Sequence, residues 1–279
     1  MRAPVLAIIG VGLIGGSIGL GVKKRSLAER VLGVGRDADS LQKAMQFGAI
    51  DEATLDLAGA VRRADLVVFC TPVDRIAEQI REIALVSRRD AVLTDAGSTK
   101  GAIVAAGDAA FADGRFVGGH PLAGSEKKGV EHAHADLFVD RLTVLTPTNV
   151  TATHSLKTVT RFWQALGSRV TCMAPAEHDR ALALTSHLPH LLASALAGVL
   201  PDEWRGMTAS GFRDTTRIAA GVPEVWTPIF QQNRAAVLAA LTLLEERLHA
   251  FRDALTRDEV ARIDQLLTQG KRVRDALGS

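Results

Sequence analysis

Apolar residues in the first part of the chain fall in short unbroken runs, each closed by glycine, proline or a polar cluster, with amphipathic stretches between them. The first run leads from Val5 through the turn Gly10-Val11-Gly12-Leu13-Ile14-Gly15 and continues, small and apolar, to Val22. This pattern predicts a buried strand, a glycine turn and a helix packed on the strand. Further strand-like runs cover 30–35, 65–70, 91–94, 115–118 and 141–145, with a shorter one at 169–173. Strands that alternate with helical stretches predict an α/β fold with a parallel, doubly wound sheet, whose ligands lie outside the carboxyl ends of its strands. From Pro175 the pattern changes to Ala- and Leu-rich segments without strand signals. They predict helices over 176–200, broken or kinked at Pro189, then a short region over 206–220, then 224–251 and 257–277. A boundary near Ala174 therefore divides an α/β part, 1–174, from an all-helical part, 175–279. The stripe Val237, Leu238, Leu241, Leu244, Leu248, Phe251 and Leu255 needs burial, and the expectation is a homodimer built by these helices.

Composition narrows the classes. The 279 residues are 47% hydrophobic and 23% charged, an ordinary globular balance with room for two domains. A net charge of +2 with both signs interspersed and 4% aromatic residues offers neither a basic stripe nor a stacking platform, so no nucleic-acid partner is expected. Residues 3–22 carry no charge and have small residues four apart, at Gly12/Gly16 and Gly15/Gly19, which suits a membrane helix. Six glycines between Val5 and Val22 make a poor spanning helix, however, and no cleavage-site pattern follows. No membrane partner is expected. Cys70 and Cys172 lie in strand-like runs and are expected to be buried free thiols in a reducing, cytoplasmic compartment.

The glycine turn carries the first chemistry. In a dinucleotide-binding turn Gly10 permits the bend, Gly12 lets backbone amides, including those of Leu13 and Ile14, approach a pyrophosphate, and Gly15 lets the helix lie close to the strand. The phosphates then sit on the helix N-terminus without a cationic side chain. Residues 1–174 are accordingly read as a dinucleotide-binding (Rossmann) domain, with Thr71-Pro72 closing a central strand beside the cofactor. At the second strand tip, Gly35 and then Arg36 stand where an NAD site usually has an acidic residue. Arg36 suits a 2′-phosphate, which favours NADP over NAD; in the alternative, Arg36 is solvated and Asp37 contacts the ribose.

Three polar clusters follow: Asp95-Ala96-Gly97-Ser98-Thr99-Lys100; Gly119-His120-Pro121-Leu122-Ala123-Gly124-Ser125-Glu126; and Ser186-His187-Leu188-Pro189-His190 with Phe212-Arg213-Asp214-Thr215-Thr216-Arg217 downstream. With the glycine turn, and in this order, they resemble the prephenate/arogenate dehydrogenase family of tyrosine biosynthesis along nearly the whole chain. The resemblance implies NAD- or NADP-dependent oxidation of the ring hydroxyl of prephenate or arogenate with loss of carbon dioxide. It assigns His120 as the residue that takes the hydroxyl proton, beside Ser98, which orients it, and it places Ser125, His187, His190, Arg213, Arg217 and Trp226 around the substrate. The departures are Ser210, where relatives often have glycine, and the Gly35-Arg36 tip. With no chorismate mutase segment before the glycine turn and no regulatory extension after Ser279, the chain is expected to be the bare catalytic unit.

Elementary chemistry agrees with that implication. Two substrate carboxylates stripped of water require cationic partners, and Arg213 and Arg217, four apart, would share a helix face. Read without the resemblance, they are surface charges on a short helix. An imidazole titrating near pH 6.5, placed just after a strand end, suits the proton acceptor. His187 and His190 are also spaced like metal ligands, but no third ligand cluster accompanies them, so no metal is expected. His132, His134, His154, His178 and His249 have no motif around them and are read as solvated or structural. A β-hydroxyacid-type dehydrogenase or imine reductase would be expected to carry a lysine on the helical side, and none occurs between Met173 and Gly270. A cofactor-sensing protein without activity would not need Ser98, His120, His190 and both arginines. His190 and the two arginines favour prephenate over arogenate.

Overall fold

The computed structural model describes residues 3–124 and 127–278. The chain forms two compact units, Met1–Arg234 and Ala235–Ser279. In the first, the strands are Ala3–Ile9 (β1), Ala28–Val34 (β2), Glu52–Thr54 (β3), Leu66–Phe69 (β4), Val92–Asp95 (β5), Phe116–Pro121 (β6), Leu142–Thr146 (β7) and Arg169–Cys172 (β8). They make one sheet in the order β3-β2-β1-β4-β5-β6-β7-β8. The helices between them are Leu13–Lys24 (α1), Ala38–Gln46 (α2), Leu57–Arg63 (α3), Val73–Ile83 (α4), Gly101–Ala110 (α5) and Thr153–Ala165 (α6). Successive residues of β1 enter opposite cores: Leu6 and Ile8 pack with Ile18, Val22, Phe162 and Trp163, while Ala7 and Ile9 pack with Val67, Phe69, Ile76 and Ile80. Burial on both faces is why β1 reads as an unbroken apolar run rather than an alternating one.

The doubly wound sheet is as expected, with two differences. β7 pairs antiparallel to β6, Gly119 opposite Leu145 and His120 opposite Val144, whereas the other ladders are parallel. Among its described residues the connection from β6 to β7 carries a 3₁₀ turn, Val130–His132, and no crossover helix, so the chain returns in the opposite sense. The edge strand β3 is short and half-buried, and gives no apolar run to detect. Cys172 closes β8, the opposite edge, and is exposed rather than buried.

Beyond β8 the chain is helical: Pro175–Leu182 (α7), a π turn over Ala183–His187, Leu188–Gly198 (α8), a 3₁₀ turn Asp202–Met207, Ser210–Thr216 (α9), a 3₁₀ turn Arg217–Ala220, Pro223–Gln232 (α10), Arg234–Thr256 (α11) and Val260–Ala276 (α12). Where a break or kink is expected at Pro189, the helical run instead widens into the π turn Ala183–His187 just before it. Pro189 is the second residue of α8, which continues directly from the π turn, and the wider turn before it accommodates its ring. The helix expected over 224–251 is interrupted at Asn233. Among the described residues no helix is long and apolar enough to cross a membrane.

Candidate active site

The glycine turn builds a cradle at the carboxyl end of β1. Gly10 has φ +94°, and a side chain there would press within 2.9 Å of the Thr71 amide. A Cβ on Gly15 would lie 2.1 Å from the Gly10 carbonyl, so α1 can approach the turn only because Gly15 has none. At Gly12 an added Cβ meets nothing within 4 Å; the space above this backbone is open. The N-terminus of α1, where Leu13 and Ile14 present their amides, has no side-chain cap and no acidic residue. Open space over bare amides at a positive helix end fits a dinucleotide pyrophosphate. Pro72 caps α4, and the Thr71 hydroxyl donates to Gln79 at 2.6 Å. Past the tip of β2, Arg36 is exposed and has no ion-pair partner among the described residues, while the Asp37 carboxylate caps α2 by accepting from the Ser40 amide at 2.9 Å.

Along the same edge of the sheet, β5 and β6 position an imidazole. Asp95 and Lys100, both fully buried, form an ion pair that grips Gly119 from both sides: Lys100 Nζ donates to its carbonyl at 2.8 Å and Asp95 accepts from its amide at 3.0 Å. The next residue, His120, is thus fixed near the end of β6, inside the strand rather than after it. Its Nδ1 lies 2.8 Å from Nε2 of His178, whose Nδ1 lies 2.8 Å from Oδ1 of Asp179. Asp179 also accepts from the amides of Lys100 and Gly101, both at 2.8 Å, so it caps α5 while holding His178. Burial opposes its ionisation, but the bonds from His178 and the two amides outweigh it and hold the carboxyl below its usual range.

This chain of acceptors fixes where the protons lie. A carboxylate only accepts, so His178 carries hydrogen on Nδ1; with both rings neutral its Nε2 accepts, and His120 donates from Nδ1. The lone pair on His120 Nε2 is then available to take a proton. Burial first, then His178, Lys100 and His187, push the pKa of His120 well below 6.5. The expected match to neutral pH is therefore corrected: this imidazole is a weak base that stays neutral until it faces a strongly acidic partner. Of the two readings open for His178, solvated or structural, the first is excluded, since the ring is fully buried and bonded to His120 and Asp179. Nothing in its local sequence marks it, because the contact spans 58 residues.

A second group of rings lies on α8 and α10. His190 stacks on Trp226 with centroids 3.6 Å apart and planes 8° apart, and His187 meets the same indole edge-on at 6.3 Å. His190 is buried, its Nδ1 has no partner among the described residues, and burial lowers its pKa. Burial also lowers His187, to about 4, with His178 adding to the shift and Asp179 opposing it. Asn233, which the sequence did not single out, follows α10 in the chain, is buried, and bonds to the Asp179 carbonyl and His187. Arg213 lies in α9 and Arg217 opens the 3₁₀ turn that follows it directly. Both elements pack on α8, and both arginines are exposed with no acidic partner among the described residues. Ser98 is half-buried and makes no hydrogen bond among the described residues; Ser125 lies outside them.

Comparison with known proteins now decides the family. Residues 18–172 match the nucleotide-binding domain of prephenate dehydrogenase, and residues 174–269 match its dimerisation domain. The chain belongs to the prephenate dehydrogenase family. It is similar to a cyclohexadienyl dehydrogenase of Zymomonas mobilis, 33% identical over 91% of this chain and 89% of that protein. Among solved structures it resembles the prephenate dehydrogenase of Aquifex aeolicus in complex with hydroxyphenyl propionate and NAD+, with a TM-score of 0.92 and 31% identity over 99% of both chains. It also resembles the arogenate dehydrogenase of Synechocystis, with a TM-score of 0.84 and 30% identity over 98% of this chain and 99% of that one. As a member of the prephenate dehydrogenase family the chain is an oxidoreductase, with a Rossmann-type sheet followed by a helical dimerisation domain.

Proposed function

We propose that the chain is a prephenate dehydrogenase that prefers NADP to NAD and forms 4-hydroxyphenylpyruvate and carbon dioxide. The observation that carries this reading is the His120–His178–Asp179 chain, which leaves the Nε2 lone pair of His120 free at the carboxyl edge of the sheet that carries the glycine cradle. Gly10, Gly12, Leu13, Ile14 and Gly15 would hold the pyrophosphate, Thr71 and Pro72 would line the cofactor cleft, and Arg36 would meet the 2′-phosphate. The bound nicotinamide supplies the hydride acceptor. His120 takes the ring-hydroxyl proton as hydride leaves the same carbon, which makes even a weak base sufficient. His178 and Asp179 spread the resulting positive charge away from the reacting atoms. The ring carboxylate then departs as carbon dioxide, its bonding pair restores aromaticity, and His120 returns the proton to the phenol oxygen. Ser98 and Ser125 would contact the hydroxyl end, and Arg213 and Arg217 would pair with the carboxylates. His187, His190 and Trp226 would wall the side-chain end.

Residues 1–174 are assigned to the cofactor and 175–279 to substrate and dimerisation, in a cytoplasmic homodimer. The likeness to the arogenate dehydrogenase of Synechocystis supports arogenate, with its amine in place of the keto group, as the second reading. Steady-state assays crossing prephenate and arogenate with NADP and NAD test both choices. A contact between Arg36 and the 2′-phosphate is worth about 1.5–3 kcal/mol, or roughly ten- to a hundredfold in kcat/KM. Equal or higher kcat/KM with NAD removes the role given to Arg36, and higher kcat/KM with arogenate moves the substrate assignment to the second reading.

A further inference from the structure

Asn233 interrupts the helical run between α10 and α11, and its side chain is turned inward and buried. Its Nδ2 donates to the backbone carbonyl of Asp179 at 2.7 Å and lies 3.0 Å from Nδ1 of His187. A carbonyl oxygen only accepts, so the amide nitrogen must face Asp179, and its second hydrogen is directed at His187. The imidazole Nδ1 must therefore offer a lone pair, and the ring proton is left on Nε2, which has no partner among the described residues. The preceding residue pins the break in place: Gln232 donates to the Val73 carbonyl at 2.8 Å and accepts from the Thr99 hydroxyl at 2.7 Å.

From this geometry we infer that Asn233 is a positioning residue, holding His187 as the tautomer that carries its proton on Nε2 and presents it to the substrate pocket. The charged and titratable groups around His187 are Asp179 and His178 on α7 and His120 on β6, with the Trp226 ring edge on α10. A positive charge on His187 would oppose the proton that His120 has to accept, so an amide that occupies Nδ1 as a donor protects the base as well as orienting a donor. The benefit to catalysis rests on the function proposed above; the tautomer does not.

The test is long-range ¹H–¹⁵N NMR of the labelled full chain without substrate, with the His187 signals identified by their loss in His187→Gln. Expected at pH 7 is an unprotonated Nδ1 and a protonated Nε2, with no titration of this ring until well below pH 6. In Asn233→Asp, whose carboxylate cannot donate, the proton should move to Nδ1. The ring should then gain its second proton about one to three pH units higher, carrying the acid limb of kcat/KM with it. A protonated Nδ1 in the wild-type chain overturns the inference, as does an Asn233→Asp protein with the wild-type tautomer and pH profile. If Asn233→Asp fails to fold, the wild-type spectrum still decides. A chain that turns over neither substrate yet shows the expected tautomer refutes the function proposed above and leaves this inference standing; an active chain with the reversed tautomer does the opposite.

Discussion

At the scale of single residues, the candidate site separates proton transfer from binding. His120→Asn removes the lone pair that receives the proton and keeps the ring's approximate size. It should lower kcat by about two to four orders of magnitude and leave KM nearly unchanged. His178→Leu removes the acceptor for the Nδ1 hydrogen of His120, so it should lower kcat by at least about tenfold while substrate affinity is retained. Arg217→Ala should act mainly on KM, by leaving a substrate carboxylate unpaired. Steady-state kinetics of the three variants check the division: a His120→Asn enzyme with near-normal kcat would move the proton elsewhere. The depressed pKa of His120 adds a sign. Its working form is the neutral ring, so activity should persist below pH 6.5 and fail only further into acid.

At the scale of elements, the glycine turn makes two jobs separable that the sequence shows only as one motif. Gly15 is filled by its neighbours, with an added Cβ 2.1 Å from the Gly10 carbonyl, whereas Gly12 faces open space. Gly15→Ala should therefore force α1 away from β1, costing about 1–3 kcal/mol of stability as well as cofactor affinity. Gly12→Ala should leave thermal unfolding unchanged and weaken cofactor binding alone, because its methyl occupies only the space a pyrophosphate would take. Calorimetric melting and cofactor titration of both variants give the comparison. The π turn Ala183–His187 has a similar local logic: it shifts α8 relative to α7, so that His187 and His190 both reach Trp226.

For the whole molecule, two consequences follow from burial. His187 stays neutral to about pH 4, and His120 and His190 are also lowered, whereas an unfolded chain protonates these rings near pH 6.5. Below that point the unfolded state binds more protons, so stability should fall as pH drops from about 6.5 toward 4, with His187 contributing across that window and His120 and His190 adding in the same direction. Above pH 7 these groups contribute no slope. Thermal melts between pH 4 and 8 read this directly. In α11 and α12, Leu238, Leu243, Leu248, Leu255, Val260 and Leu267 are each at least half exposed in the single chain. A homodimer should cover much of this surface, and sedimentation at micromolar concentration should give a dimer; a single monomeric species would end that reading.

The sequence by itself determined the sheet core, the glycine cradle and the change from α/β to helix. Each depends on local pattern: a run buried on both faces, a turn that needs glycine, a repeat at three and four. The motif around His120 was equally legible, because it is contiguous. Only the tertiary structure decided what that imidazole leans on. His178 has no local signal, Asn233 reads as one more residue of a helix, and the reversal of β7 follows from the connection before it, which among the described residues holds no crossover helix, rather than from anything in the strand. Protonation was decided at the same level, since the ring that the sequence expects to titrate near pH 6.5 is held neutral by burial and by charges brought to it from other elements.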